Sequence, residues 1–413
     1  MELQKYQKCS KVTRGLRKAE FVLKNARIVN VFTREILKGD IAIEDGLISG
    51  IGSYEGKREI DLEGRYVCPG LIDSHLHLES TLVTPAELVT VAARHGTTTF
   101  IVDPHESANV SGLKGIDYIL DQTEDVEANV FVMMPSCVPA TAIDDNGCTI
   151  TAQDMVPYLG NRRILGLGEV MDYISVVNAD EAMHSKLDLF RERVRDGHAP
   201  FLAEADLQAY VMAGITTDHE CSDFDYAMQE RRCGMTVHIR EGSAARNLKA
   251  IVSGIVSHQM NGEGFCFCTD DKHLDTIENE GHISYNIKKS IKLGMQPVQA
   301  VKMATYNAAM TYGLYDIGVL EEGKDADIVI LDSLEDVKVS AVYKQGQPVN
   351  KELFSKEAKP VKESMLHTVV LKDVSKDKIQ VKADGEIPVI GMIPGQIVTT
   401  FLHEEVPNDH GWF

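Results

Sequence analysis

With 413 residues, 44% apolar and 25% charged, the chain is long enough for a barrel-sized domain plus a smaller one and has the composition of a folded globular protein, not a disordered segment. Lys+Arg 42 against Asp+Glu 62 leaves a net charge of −20, which repels phosphate backbones and argues against a nucleic-acid partner. No apolar run reaches a membrane span, and the basic N-terminus (Lys5, Lys8, Lys11, Arg14, Arg17, Lys18) lacks a signal-peptide apolar stretch; a cytoplasmic protein with no membrane partner is expected, its eight scattered cysteines read as free thiols.

Residues 20–68 read as short strands with turn signals: 20–23, 26–31, 40–43 and 47–51. From residue 69 the pattern changes to apolar runs alternating with longer helical segments, the signature of β/α repeats around a parallel sheet. The runs are 70–73, 99–102, 130–134, 164–167, 235–239 and 264–267, with weaker ones before His198 and His219. Eight is the number that a closed (β/α)8 barrel needs. A helical stretch over 283–309 is broken at Gly294 and Pro297, and strands return at 318–320, 326–331 and 339–342. These late strands are expected to pair with those of 20–68, so that one small β domain is built from both sides of the barrel. The expected division is 1–68, 69–311, 312–350 and a β-rich region over 351–413, including runs at 369–371 and 387–390.

Within Pro69-Gly70-Leu71-Ile72-Asp73, the first barrel run, and just past it stand His75 and His77. On a strand this spacing puts both rings on one face, where they can share a metal ion; a hydrogen-bonded core role is the plainer reading of either histidine alone. Other runs also end in polar groups: Asp103 and His105, Ser136 and Cys137, Glu169, His198, His219, Arg240 and Glu241, Asp270 and Asp271. The C-terminal strand ends of a barrel form its active-site mouth, so these residues are expected to meet there. His75, His77, Glu169, His198, His219 and Asp270 supply four imidazoles and two carboxylates, a set that suits Zn²⁺, Mn²⁺ or Fe²⁺. Two such ions sharing a bridging carboxylate can activate water, with a nearby carboxylate moving its proton.

The segment 69–77 resembles the first-strand signature of the amidohydrolase superfamily, and Gly318-Val319-Leu320-x-x-Gly323-Lys324-Asp325-Ala326-Asp327-Ile328 resembles its return to the small β domain. Val102-Asp103-Pro104-His105-Glu106, Gly168-Glu169-Val170-Met171, Asp196-Gly197-His198-Ala199-Pro200, Asp218-His219-Glu220-Cys221, Arg240-Glu241-Gly242-Ser243-Ala244-Ala245-Arg246 and Cys268-Thr269-Asp270-Asp271 are similar to its adenine deaminase branch.

That resemblance implies a TIM-like metal-dependent hydrolase barrel, with a metal-bridged hydroxide converting adenine to hypoxanthine and ammonia in purine salvage. It implies two divalent ions, Mn or Fe ahead of Zn. By position, His75, His77 and Asp270 hold one ion, His198 and His219 the second, and Glu169 bridges. Asp270 also moves the proton, and Glu241 serves the ring nitrogen as an acid. Asp103, His105 and Glu106 are expected to support the ligands or to make extra metal or base contacts, and Arg240 to bind the ring, with a structural ion-pair role open as the alternative for these four and for Glu241; Asp271 and His273 read as mouth-lining or equally as a solvated loop, and Asn307 as a packing residue. Self-association is expected. The rival readings are another cyclic amide or amidine hydrolase, or an inactive barrel. Three stretches depart from the family pattern: Phe201-Leu202-Ala203-Glu204 replaces a glycine-containing turn, the 192–196 run is charged for a barrel strand, and the family continues through a further C-terminal domain, so 351–413 reads as that region cut short.

Overall fold

The computed structural model describes residues 1–141, 143–349, 359–368, 375–383, 385–394 and 398–413; the expected run at 369–371 lies outside them. A helix over Leu3–Thr13, where the sequence reading places no element, buries Cys9 and Val12 and packs Val12 with Ala19, Val22 and Ala42. Five strands follow: β1 (Ala19–Asn30), β2 (Glu35–Glu44), β3 (Leu47–Gly52), β4 (Gly56–Asp61) and β5 (Tyr66–Pro69).

Next come the barrel strands β6 (Leu71–Leu76), β7 (Thr97–Val102), β8 (Asn129–Met134), β9 (Ile164–Val170), β10 (Val194–Gly197), β11 (Thr217–Asp218), β12 (Thr236–Arg240) and β13 (Phe265–Cys268). All pair in parallel, in two arcs: β6 to β10 in chain order, and β11 to β13. Backbone hydrogen bonds join the arcs at both seams. Thr216 N donates to Arg195 O at 3.1 Å, while Asp270 N donates to His75 O at 3.0 Å and His77 N to Asp270 O at 3.3 Å. β6, β7 and β13 are buried along their whole length, as strands covered on both faces must be.

β10 explains how a charged run serves as a barrel strand. It is four residues long. Arg193 and Arg195 spend their guanidinium groups on backbone carbonyls, Arg193 on Ile164 O at 2.7 Å and Arg195 on Ala213 O at 2.9 Å. Asp196 is buried and accepts from Thr217 Oγ1 at 2.8 Å and Tyr312 Oη at 3.0 Å. Each charge meets a partner, which is the condition for burying it.

The 283–309 segment forms helices Ile283–Lys292, Pro297–Met303 and Tyr306–Thr311, with Gly294 at φ 102° and Pro297 opening the second. β14 (Ile328–Ser333), β15 (Lys338–Lys344) and β16 (Gln347–Pro348) then complete the small sheet, in the order β16-β15-β14-β5-β1-β2-β3, with β4 on β1. The antiparallel β5–β14 pairing, Val67 opposite Ile330, is the expected union of the two flanking segments. A separate hairpin, β17 (Glu386–Met392) with β18 (Thr399–Glu405), includes the expected 387–390 run and leaves Ile390, Met392 and Phe401 exposed.

Candidate metal centre

Five strand ends converge where the barrel opens. β6 carries His75 and β9 carries Glu169; His77, His198, His219 and Asp270 directly follow β6, β10, β11 and β13. His77 Nε2 lies 3.1 Å from Asp270 Oδ1 and 3.3 Å from Glu169 Oε1, and His75 Nε2 lies 3.6 Å from Asp270 Oδ1. On the other side of Glu169, Oε2 lies 2.6 Å from His198 Nδ1 and 3.3 Å from His219 Nε2. All six expected ligands therefore meet, Glu169 sits between the two groups, and the His75 and His219 rings stack at 4.0 Å.

The backbone aims these groups. Asp270 takes φ 57°, a left-handed conformation that aspartate tolerates better than most side chains and that is found at functional sites. Glu169 is held through its main chain: its N–H donates to Asp103 Oδ2 at 2.8 Å and its carbonyl accepts from Ser136 Oγ at 2.5 Å. His77 Nδ1 lies 2.8 Å from Asp103 O, which leaves Nε2 for the centre.

Burial alone would raise the Glu169 and Asp270 carboxyls. Instead the His198, His105 and His219 rings hold Glu169 well below its ordinary range, and His75, His77 and Arg240 do the same for Asp270. His77 is driven well above its ordinary value, against burial, by Asp270 and Glu169, and His219 by Glu169 and Glu220. A field that retains protons there is one that a divalent cation satisfies by displacing them. The donors fit such ions: His75 Nε2 is buried with no hydrogen-bond partner, the ligand atoms lie within 4.8 Å of one another in groups of three, and the mixed N/O set belongs to divalent metals.

Around these ligands the structure sorts the remaining candidates. Asp103 and His105 join the cluster, His105 Nδ1 lying 3.2 Å from Glu169 Oε1. Arg240 reaches it from below, with Nη1 2.6 Å from Asp270 Oδ2 and 2.5 Å from Glu220 Oε1; the guanidinium is spent on two carboxylates, the ion-pair alternative. Glu241 Oε1 is engaged by Lys289 Nζ at 2.5 Å and Arg246 Nη1 at 3.2 Å, so the ion-pair reading describes it as well. Glu106 is exposed in the first turn of the helix His105–Ser111, Asp271 is exposed and bonds Ser80, and Asn307 caps the Gly262 and Phe265 carbonyls.

Glu220 went unnominated in the sequence. It is buried, 3.3 Å from His219 Nε2, and held at about 2 against burial chiefly by His219 and Arg240. Its sequence signals are adjacency to His219 and a place in the family-like motif Asp218-His219-Glu220-Cys221.

The sequence pattern of the amidohydrolase family matches residues 66–349, from β5 through the barrel to the return strands. The chain belongs to this family. Among its relatives, an adenine deaminase of Desulfitobacterium hafniense (strain Y51) is 54% identical over 400 residues, covering 97% of this chain and 70% of that protein. One from Geobacillus kaustophilus (strain HTA426) is 42% identical over 405 residues, covering 96% and 70%. Solved amidohydrolase structures share the fold: an adenine deaminase superposes with a TM-score of 0.59 at 19% identity, covering 80% of this chain and 99% of that one, and an enamidase with 0.60 at 18%, covering 80% and 95%. The amidohydrolase chain thus carries a divalent metal site on a curled parallel barrel flanked by a β domain.

Proposed function

We propose that this amidohydrolase hydrolyses adenine to hypoxanthine and ammonia, in purine salvage. The observation that carries the reading is Glu169 standing between His75, His77 and Asp270 on one side and His198 and His219 on the other, in a chain 54% identical to a protein named adenine deaminase. His75, His77 and Asp270 would hold one ion, His198 and His219 the second, and Glu169 both. Mn²⁺ or Fe²⁺ suits these carboxylate and imidazole donors, ahead of Zn²⁺. When bound, the ions make water nucleophilic at neutral pH.

The chain's own groups handle the protons. Arg240 occupies Asp270 Oδ2 and leaves Oδ1 facing the histidines. Asp270 Oδ1 takes a proton from the water that adds to C6 and returns one to the departing amino nitrogen, while N1 gains the proton that the C6 hydroxyl gives up, so that ammonia leaves and the C6 carbonyl of hypoxanthine forms. Glu169 and Glu220 keep the site anionic around the cations. Glu241, tied to Lys289 and Arg246, supports the rim in this reading. A cytoplasmic location and self-association go with it; among the described residues no helix is long and apolar enough to cross a membrane.

The deciding assay is ammonia release from adenine by protein reconstituted with Mn²⁺ or Fe²⁺, beside Glu169→Gln and a panel of other purines and cyclic amides. Turnover of adenine that the substitution abolishes is the expected result. Two bound ions with no adenine turnover, and activity on a cyclic amide, would overturn it.

A further inference from the structure

Beyond the two groups of ligands already described, Glu169 Oε1 faces a third set of donors. Asp103, at the end of β7, is 1% exposed, and its Oδ1 has no hydrogen-bond partner. His105 Nδ1, two residues on, is also buried without one. The two atoms lie 3.7 Å apart, and His105 Nδ1 lies 3.2 Å from Glu169 Oε1. Asp103 Oδ1 does not point there by default, because the other oxygen of the same carboxylate already holds the Glu169 N–H at 2.8 Å. One oxygen serves the backbone, and the second is left aimed at the gap.

We propose that Asp103, His105 and Glu169 form a third divalent-cation position, adjacent to the pair. Three donor atoms coordinating one ion at about 2.0–2.2 Å must lie roughly 3–4 Å from one another, which is the spacing found for His105 Nδ1 against both carboxylates. The same orphaned state marks His75 Nε2, a ligand of the proposed pair. Two carboxylates and one imidazole make this the hardest donor set in the site, favouring Mn²⁺ over softer ions. His105 is 18% exposed, against 1% and 4% for the side chains of His75 and His77, so this ion sits on the solvent side and exchanges more readily. The rival occupant of the gap is a proton on His105, paired with both carboxylates. The inference builds on the metal centre of the proposed function but not on its substrate.

Mn²⁺ titration of the full-length apoprotein, followed by the electron paramagnetic resonance of free Mn²⁺, separates the two. The wild type is expected to take up three equivalents, the third more weakly, and His105→Ala to take up two with the first two unchanged. Asp103→Asn also touches the Glu169 backbone, so His105→Ala, which spares that bond, is the variant that decides. Saturation of the wild type at two equivalents would overturn the proposal, as would a third equivalent that His105→Ala retains, since that ion is then adventitious on the acidic surface. Adenine turnover is read on the same samples: three equivalents with no turnover sustain this site and refute the substrate, whereas two equivalents with full turnover do the reverse.

Discussion

Gly168 shows how little room the metal centre leaves. A Cβ added there would collide with the Asp103 carboxylate, which fixes the backbone of Glu169. Gly168→Ala is therefore expected to displace the bridging carboxylate without touching a ligand. Misplacement of a reacting group by about 1 Å costs on the order of a hundredfold in rate, so we expect a loss of that order in kcat on adenine, together with fewer bound metal equivalents; normal metal content and kcat would refute the coupling. Glu230 makes a second prediction at this scale. It is fully buried on the helix Phe224–Arg232, and burial together with the Asp218 carboxylate drives it well above its ordinary 4.5. The folded state thus binds a proton that the unfolded chain releases near 4.5, and this contribution to stability is lost as pH rises from there through the folded value. Glu230→Gln keeps a hydrogen-bond donor and removes the titration. Its Tm advantage over the wild type should grow from pH 5 to pH 8, and a constant difference would contradict the assignment.

At the scale of elements, Arg240 on β12 ties Glu220, which follows β11, to Asp270, which follows β13. Removing one partner of a buried ion pair leaves an uncompensated charge and costs about 3–5 kcal/mol. Arg240→Gln, which strips both carboxylates of their guanidinium partner and leaves them only histidines, is expected to lie in that range by urea denaturation, with Glu220→Gln smaller and the double variant less than additive. Strict additivity would show that the three groups do not act as a unit. This three-strand staple also marks where the sequence became hard to read. Apolar runs ending in His, Asp or Glu mark six candidate ligands and eight strands, because a parallel barrel demands both a buried strand and a polar mouth. Pairing among polar residues leaves no such periodic trace. Glu220 stands hidden beside His219, Arg240 and Glu241 stay open in the sequence between the base and the ion pairs they make here, and the charges of β10 find partners that only the fold supplies. Phe201, in place of the family's glycine-containing turn, takes φ 51° and keeps its ring against Tyr226 at 4.9 Å, so the substitution repacked the turn.

Across the whole molecule, the candidate ligands bind two halves together. His75, His77, Glu169 and His198 come from the five-stranded arc, and His219 and Asp270 follow strands of the three-stranded arc. The helices outside the arcs pack into largely separate cores, one around Leu88, Ile119, Met155 and Leu207, the other around Ile251, Ile255, Ile287 and Val301, which also meets the small sheet through Val329 and Leu331. Ions held between the arcs would cross-link them at the mouth. An ion that binds only the folded state, at a hundred times its Kd, adds about 2.7 kcal/mol per site. Removing the metal also leaves Glu169, Asp270 and Glu220 facing one another with only protonated histidines and Arg240 as counter-charges; because His77 and His219 hold their protons well above the ordinary imidazole value that the unfolded chain keeps, the stability of the metal-free protein falls as pH rises past that value. Chelation should therefore lower Tm by several degrees, by more at pH 8 than at pH 6, and Mn²⁺ should restore it. Glu169→Gln, which weakens the donor shared by both proposed positions, should make Tm nearly indifferent to chelator. A chelator shift that survives Glu169→Gln in full would place the stabilising ion elsewhere and break the link between the metal centre and the closure of the barrel.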